Sequence, residues 1–236
     1  MDKQTKCVHG SDDRYDTTGA ISVPIFQSAT FAHPSVGQST GYDYSRLQNP
    51  TREHLEKTIA ALEGGTDALA FSTGMAAIAA LMELFSPGDH LVASDDLYGG
   101  SHRLFSHISM KNGAGFSFAD TSDPDALERA IRPETKALFV ETPTNPMMQV
   151  TDIAAVSVLA RRHGLLLIVD NTFLTPCFQR PLSLGTSWYT AARSIWVVTT
   201  IRWRVFSSRA ARSSPKSCAL SSKPRAPAFP PSTAGC

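Results

Sequence analysis

The sequence predicts an α/β fold, a mainly parallel sheet flanked by helices. Three observations lead there. Leu165–Val169 is five apolar residues in a row, which cannot alternate across a half-wet sheet. Such a run fits a short strand buried on both faces. Between residues 52 and 185, short apolar runs alternate with helical patterns. That alternation implies parallel strands joined by right-handed crossovers. Polar residues also gather just past the apolar runs, where open parallel sheets hold their ligands.

Taken in order, residues 1–50 read as an N-terminal arm, in which Gly, Pro and Ser recur and no helical period persists. Residues 51–185 read as the folded domain. Thr51 is expected to cap a helix whose Leu55, Ile59 and Leu62 share one face, stopped by Gly64-Gly65. Ala68–Phe71 is expected as a strand. Gly74–Phe85 is apolar nearly all round, so a buried helix. Pro87-Gly88 turns the chain into strand His90–Ala93, and Phe116–Phe118 is a weaker strand. Asp123 with Pro124 behind it starts a helix that turns Leu127 and Ile131 inward. Ala137–Val140 is a strand ending at Glu141. Asp152 opens a helix carrying Val156 and Leu159, and Leu165–Val169 follows.

Composition sets limits. The chain has 236 residues, net charge +1 and 42% hydrophobic residues, ordinary for a globular protein. No N-terminal apolar leader and no membrane-length run is present, so no membrane partner is expected. Cys7, Cys177, Cys218 and Cys236 lack metal or disulfide spacing, so no metal site is expected and a cytoplasmic location is. The average charge hides a break. Residues 1–185 hold 14 Lys/Arg and 21 Asp/Glu, whereas residues 186–236 hold 8 Lys/Arg and no acid. All three tryptophans and ten serines lie in that last stretch. Residues 186–236 therefore read as an aberrant basic Ser/Pro/Arg-rich tail that joins the domain poorly.

Four segments past the expected strands carry candidate chemistry. Ser72-Thr-Gly-Met75 leads a glycine turn into a helix N-terminus, which is either a phosphate seat or an ordinary strand–helix turn. It is neither a Walker loop nor a G-x-G-x-x-G. In Asp95-Asp-Leu-Tyr-Gly-Gly-Ser101, the Tyr98 ring either lies flat on a planar ligand or is a half-buried turn residue. Asn145, held between Pro143 and Pro146, is placed to hydrogen-bond a ring hydroxyl or is simply part of a proline turn. Asp170 ends an apolar strand, where a carboxylate is costly without a partner. It either meets a protonated pyridine nitrogen or caps the next turn through a nearby N–H.

Six motifs occur together and in order: Tyr44-Ser-Arg46 with Asn49-Pro-Thr51, Leu62-Glu-Gly-Gly65, Phe71-Ser-Thr-Gly-Met-Ala-Ala77, Leu97-Tyr-Gly-Gly100, Glu141-Thr-Pro-Thr-Asn-Pro146 and Val169-Asp-Asn-Thr-Phe173. The set resembles the trans-sulfuration enzymes of cysteine and methionine metabolism that depend on pyridoxal 5'-phosphate. Cystathionine synthases and lyases, methionine gamma-lyases and homoserine sulfhydrylases belong there. The likeness covers about residues 4–185. It implies the large domain of the fold-type I pyridoxal-phosphate enzymes. It also implies a small amino-acid substrate and elimination or replacement at the β or γ carbon of a sulfur amino acid or activated homoserine. It implies that Gly74 and Met75 bind the phosphate through backbone N–H groups. Tyr98 would stack on the pyridine ring as the catalytic aromatic. Asp170 would pair with the ring nitrogen, with Asn145 and Thr172 close to the ring. Tyr44 and Arg46 would reach a neighbouring subunit's phosphate, so the active unit would be a dimer or tetramer. Gly100 stands where methionine gamma-lyases carry cysteine, which makes that reaction less expected.

One element of the resemblance is missing. The family places its Schiff-base lysine in a Ser-x-Thr-Lys motif past the Asp170 position. Here that region reads Thr190-Ala-Ala-Arg-Ser-Ile195, and the C-terminal domain with its carboxylate-binding arginine is not in these residues. No covalent link to the cofactor is expected. The genetic code offers a reason. From Gly185 onward, each codon's last base read with the next codon's first two permits D-I-V-V-H-S-x-T-K-Y-L-G-G-H-N-D-T-L-A-G. Trp188, Trp196 and Trp203 each supply a forced G there, giving Val, Gly and Ala. The lysine codon falls across Arg193 and Ser194. The tail therefore reads as out-of-frame translation. That accounts for the basic charge without nucleic acid as a partner. The expectation is a catalytically dead member of the family. The alternative is that residues 1–185 persist as a non-catalytic cofactor-binding or subunit-interaction remnant.

Overall fold

The computed structural model describes residues 2–9, 20, 22–184, 190–192 and 198–201. Contacts divide the chain into two units. One is drawn from Met1–Ile25 and Thr51–Arg204, and the described part of the other is Phe26–Pro50.

The first unit opens on helix α1 (Lys3–His9), where a helix is found inside the expected arm. Asp2 caps it by accepting from Thr5 N at 2.7 Å. Helix α2 (Pro50–Glu63) starts one residue before Thr51. Thr51 is thus inside the first turn and not its cap, because Pro50 has the fixed φ that suits a helix start. Then follow β1 (Asp67–Ala70), α3 (Gly74–Met82), β2 (His90–Ser94), α4 (Gly99–Arg103) and β3 (Gly115–Ala119). A π-helical turn, Leu104–Ser109, continues α4. After β3 come α5 (Pro124–Ala130), β4 (Thr135–Glu141), α6 (Ile153–Arg162), β5 (Leu166–Asp170) and α7 (Thr175–Phe178). Strands β6 (Thr190–Ala192) and β7 (Val198–Ile201) complete a seven-stranded sheet of order β1-β7-β6-β5-β4-β2-β3.

Asp123 and Asp152 cap α5 and α6 as their positions suggest, accepting from Asp125 N at 2.9 Å and Ala155 N at 3.1 Å. The pairs β2–β3, β2–β4, β4–β5 and β5–β6 are parallel, while β1–β7 and β6–β7 are antiparallel. The sheet is therefore mainly parallel with helices on its faces. β6 and β7 fall inside the stretch expected to join the domain poorly. For β7 the reason lies in composition, since Val197-Val-Thr-Thr-Ile201 is wholly β-branched and suits a strand, whereas β6, Thr190-Ala-Ala192, has no such local signal.

Strand period two sorts the core into two layers. Leu91, Ala93, Phe139 and Ile168 face one way and pack with Ile78, Leu81, Phe105 and Phe116. Val92, Leu138, Val140, Leu167 and Val169 face the other way and pack with Leu127, Val156 and Leu159. Both faces of β2, β4 and β5 are thereby covered, which is why these strands read as unbroken apolar runs.

At the amino ends of the strands, His90 is buried and bonded on both ring nitrogens. Nδ1 meets Thr135 Oγ1 at 2.8 Å and Nε2 meets Ser117 Oγ at 3.0 Å. Burial holds its pKa below the ordinary imidazole value, helped by Arg132 and opposed by Glu134. The unfolded chain therefore takes up the proton more readily. The stability this site contributes is complete above about pH 6.5 and is lost as pH falls below it. Denaturant midpoints should fall between pH 7.5 and 5.5 by more in the wild type than in His90→Gln. Equal pH dependence in the two would show that His90 carries no part of it.

A second buried group is Glu63, at the end of α2. Among the described residues, its Oε2 meets no hydrogen-bond partner. Burial pushes this carboxyl up to about 8, with Arg180 and Lys3 pulling the other way.

The second unit bridges back on itself and is not simply extended. Thr30 pairs with Tyr44 antiparallel, and Asn49 Nδ2 donates to Phe26 O at 3.0 Å. Phe31 packs on Tyr42 with centroids 5.6 Å apart.

Candidate functional site

β1, β2, β4, β5 and β6 run in one direction, so their carboxyl ends share one edge of the sheet. The Ser72–Met75, Asp95–Ser101, Glu141–Pro146 and Asp170–Thr172 segments all leave the sheet there. The level is common as well: Glu141 is the register partner of Asp170, and Ala191 lies opposite Asp170 on the other side.

Thr73 holds the start of α3. Its backbone is extended and its Oγ1 accepts from Ala76 N at 3.0 Å. Gly74 and Met75 are the first two residues of α3, so their N–H groups have no acceptor within the helix. Thr73 takes a later amide and leaves those two at the positive end of the helix.

Tyr98 is 37% exposed and immediately precedes α4. Its amide donates to Glu141 Oε2 at 3.0 Å. Its ring lies against Gly100. A Cβ at Gly100 would overlap the Tyr98 ring and stand 2.9 Å from Met75 Sδ. Only glycine therefore lets the ring lie where it does, and Met75 and Tyr98 meet across it.

Asp170 is 1% exposed. Its Oδ1 accepts from Thr172 N at 3.2 Å and from the Thr172 hydroxyl. Its backbone O accepts from Thr142 N at 3.2 Å, which ties the β4 loop to the end of β5. The turn behind it is fixed by Asn171 and Gln179. Asn171 Nδ2 donates to Gln179 O at 2.8 Å, and Gln179 Nε2 donates to Asn171 Oδ1 at 2.9 Å. Asn145 is half-buried in the loop after β4. That loop is held from the β2 side by Asp96, whose Oδ2 accepts from Met147 N at 3.0 Å and from the Thr144 hydroxyl.

Asp170 is the last residue of β5, one residue further along the strand than expected, and Gly74, Met75, Tyr98, Asn145 and Thr172 lie past strand ends at the same sheet edge. Tyr44 and Arg46 belong to the other unit, where the Arg46 guanidinium stands 5.0 Å from the Tyr44 ring centroid. Glu141 and Asp96 are tying residues that the sequence does not mark as such. Both stand inside or beside the quoted motifs, but nothing local marks a carboxylate whose partner is tens of residues away. Among the described residues, no cluster of His, Cys, Asp and Glu could hold a metal ion, and no helix is long and apolar enough to cross a membrane.

Known proteins bear on the site. The family model described as Cys/Met metabolism PLP-dependent enzyme matches residues 4–194. Cystathionine gamma-lyase of Bacillus subtilis is 50% identical over 185 residues, covering 78% of this chain and 49% of the relative. A cystathionine gamma-synthase/O-acetylhomoserine (thiol)-lyase of the same organism is 52% identical over 182 residues, covering 77% and 49%. Among solved structures, cystathionine gamma-lyase from Lactobacillus plantarum complexed with L-serine superposes with TM-score 0.79 at 43% identity, covering 86% of this chain and 55% of that one. The chain spans about half the length of the curated relatives it matches. It belongs to the Cys/Met metabolism family of enzymes dependent on pyridoxal phosphate.

Proposed function

We propose that this chain is a catalytically dead form of an enzyme that eliminates or replaces a group at the β or γ carbon of a sulfur amino acid or activated homoserine. Bound pyridoxal phosphate supplies such an enzyme with an electron sink for the carbanion it must stabilise. The residues present fit that group. The free amides of Gly74 and Met75 suit its phosphate. The Gly100 cradle lets the Tyr98 ring lie flat against a planar pyridine. The buried Asp170 carboxylate suits a protonated ring nitrogen, with Thr172 orienting its Oδ1. Asn145 and Thr172 would offer further hydrogen-bonding groups to the ring. Tyr44 and Arg46 serve the phosphate of a neighbouring subunit in a homo-oligomer, where a bidentate, always-charged guanidinium is well suited. The setting is a reducing cytoplasm, and the substrate is a small amino acid.

The observation that carries the loss of function concerns lysine. Residues 1–185 contain Lys3, Lys6, Lys57, Lys111 and Lys136, and none follows β5. Lys3 and Lys6 are engaged on the carbonyls of Cys177 and Ala61. Lys57 pairs with Glu53. Lys111 and Lys136 are exposed beside the amino ends of β3 and β4, at the edge opposite Asp170. Lys216 and Lys223 follow β5 in Ser/Pro-rich sequence outside the described residues. Among the described residues, an amine that both holds the cofactor and moves protons is therefore lacking. The cause is a change of frame at about Gly185.

Two measurements test this. The nucleotide sequence should read CGA for Arg193 and AGC or AGT for Ser194, which the shifted lysine requires. Other codons there rule out the frame reading. The 236-residue chain, supplied with pyridoxal phosphate, should release no thiol or keto acid from cystathionine or acylated homoserine. Turnover above the free-cofactor background contradicts the proposed loss.

A further inference from the structure

We propose that Glu141 and Asp96 are positioning residues. They form a reciprocal pair of carboxylates that clasps the Tyr98 loop to the Asn145 loop and so fixes the Tyr98 ring against its ligand. The nature of that ligand rests on the function proposed above, whereas the clasp itself does not.

The exchange is mutual. Glu141, at the end of β4, reaches the loop after β2 and accepts from Tyr98 N at 3.0 Å. Asp96, in the loop after β2, reaches the loop after β4 and accepts from Met147 N at 3.0 Å and from the Thr144 hydroxyl. Asn145 sits between the two groups that Asp96 holds. Each loop thus gives a carboxylate to the other. Each carboxyl group holds one amide of the other loop, so each loop is fixed at its own point.

Glu141 is itself fixed. It is 3% exposed, and its own amide donates to Ser94 Oγ at 3.2 Å. Ser94 continues into a buried hydroxyl chain, 3.0 Å to Thr121 Oγ1 and then 2.8 Å to Thr151 Oγ1. Thr151 N closes back on Thr142 Oγ1 at 3.0 Å, one residue past Glu141. This chain fixes the backbone of Glu141, from which its carboxyl group reaches Tyr98 N.

The consequence falls on Tyr98. Its amide is the point at which the chain turns into α4, so Glu141 sets the height of the residue through its backbone. Gly100 and Met75 then set the plane of the ring through contact. Removing Glu141 leaves the contacts and releases the height.

The test uses the full 236-residue chain and the variants Glu141→Ala, Glu141→Gln, Asp96→Ala and Asp96→Asn. Amide exchange is read at Tyr98 and Met147. Binding is read with 4-deoxypyridoxine 5'-phosphate, which has the ring and phosphate but no aldehyde. Glu141→Ala should speed exchange at Tyr98 by about tenfold or more and leave Met147 within about twofold, and Asp96→Ala should do the reverse. Both should weaken probe binding by about tenfold. Glu141→Gln and Asp96→Asn keep an acceptor oxygen and should fall between their alanine partners and the wild type. They carry the test alone should an alanine variant not fold. Uniformly faster exchange at both amides, unchanged exchange, or unchanged binding in a chain that binds the probe overturns the proposal. If the wild type does not bind the probe, the cofactor reading fails, and the exchange pattern by itself decides for or against the clasp.

Discussion

Reading the shifted frame from codon 185, by adding one base or removing two, is expected to raise turnover of cystathionine or acylated homoserine by about 10²–10⁴-fold or more, the usual worth of a positioned proton-transfer group. One side chain carries this effect. β6 is parallel to β5, with Ala191 opposite Asp170, and it ends at Ala192. The codons that follow, for Arg193 and Ser194, are those that overlap to spell lysine. The restored lysine would then leave the sheet at the edge where Asp170, Tyr98 and Gly74 already lie. An intact coding sequence downstream would also supply the part of the relatives' length that the match does not cover. Activity that stays at background in the restored protein would mean that the loss lies elsewhere in the chain.

The second large effect is on stability. Phe139→Ala is expected to cost about 3–5 kcal/mol, the usual range for a fully buried phenylalanine. Phe139 has 0% exposure and meets Phe105 edge-on at 5.1 Å. Phe105 in turn stacks on Phe116 at 4.8 Å. The three rings join β4, the π-helical turn and β3, so truncating Phe139 opens a cavity inside a packed layer. Such a loss is a large share of an ordinary domain's 5–15 kcal/mol. A denaturant midpoint within error of the wild type would show that this layer is not the folding core.

Much of the architecture was legible because both faces of β2, β4 and β5 are covered, and covered strands declare themselves as unbroken apolar runs. The caps at Asp123 and Asp152 were legible because their chemistry is local. Thr51 misled because Pro50 was not credited with starting the helix. α1 was lost in a segment read from its glycines and prolines, and the Leu104–Ser109 turn has no periodicity of its own to distinguish it from α4. β7 was missed because the charge break at Gly185 outweighed a β-branched run of five residues, and β6 because it has no such local signal. The site followed the same division. The positions of Gly74, Tyr98 and Asn145 past strand ends, and of Asp170 at one, could be read from the alternation of elements. The Tyr98–Glu141 bond, across a separation of 43 residues, could not, because only the crossover through β3 and α5 brings those loops together.

The central claim is that this chain has the family's site without its lysine. Borohydride reduction of the purified 236-residue chain after incubation with pyridoxal phosphate tests it most directly, with peptide mass mapping of any modified residue. The account predicts no characteristic visible absorption from a site-bound cofactor and no lysine labelled at stoichiometric level. A yellow protein in which one lysine is labelled in full would contradict it, because an amine elsewhere in the chain would then reach the site.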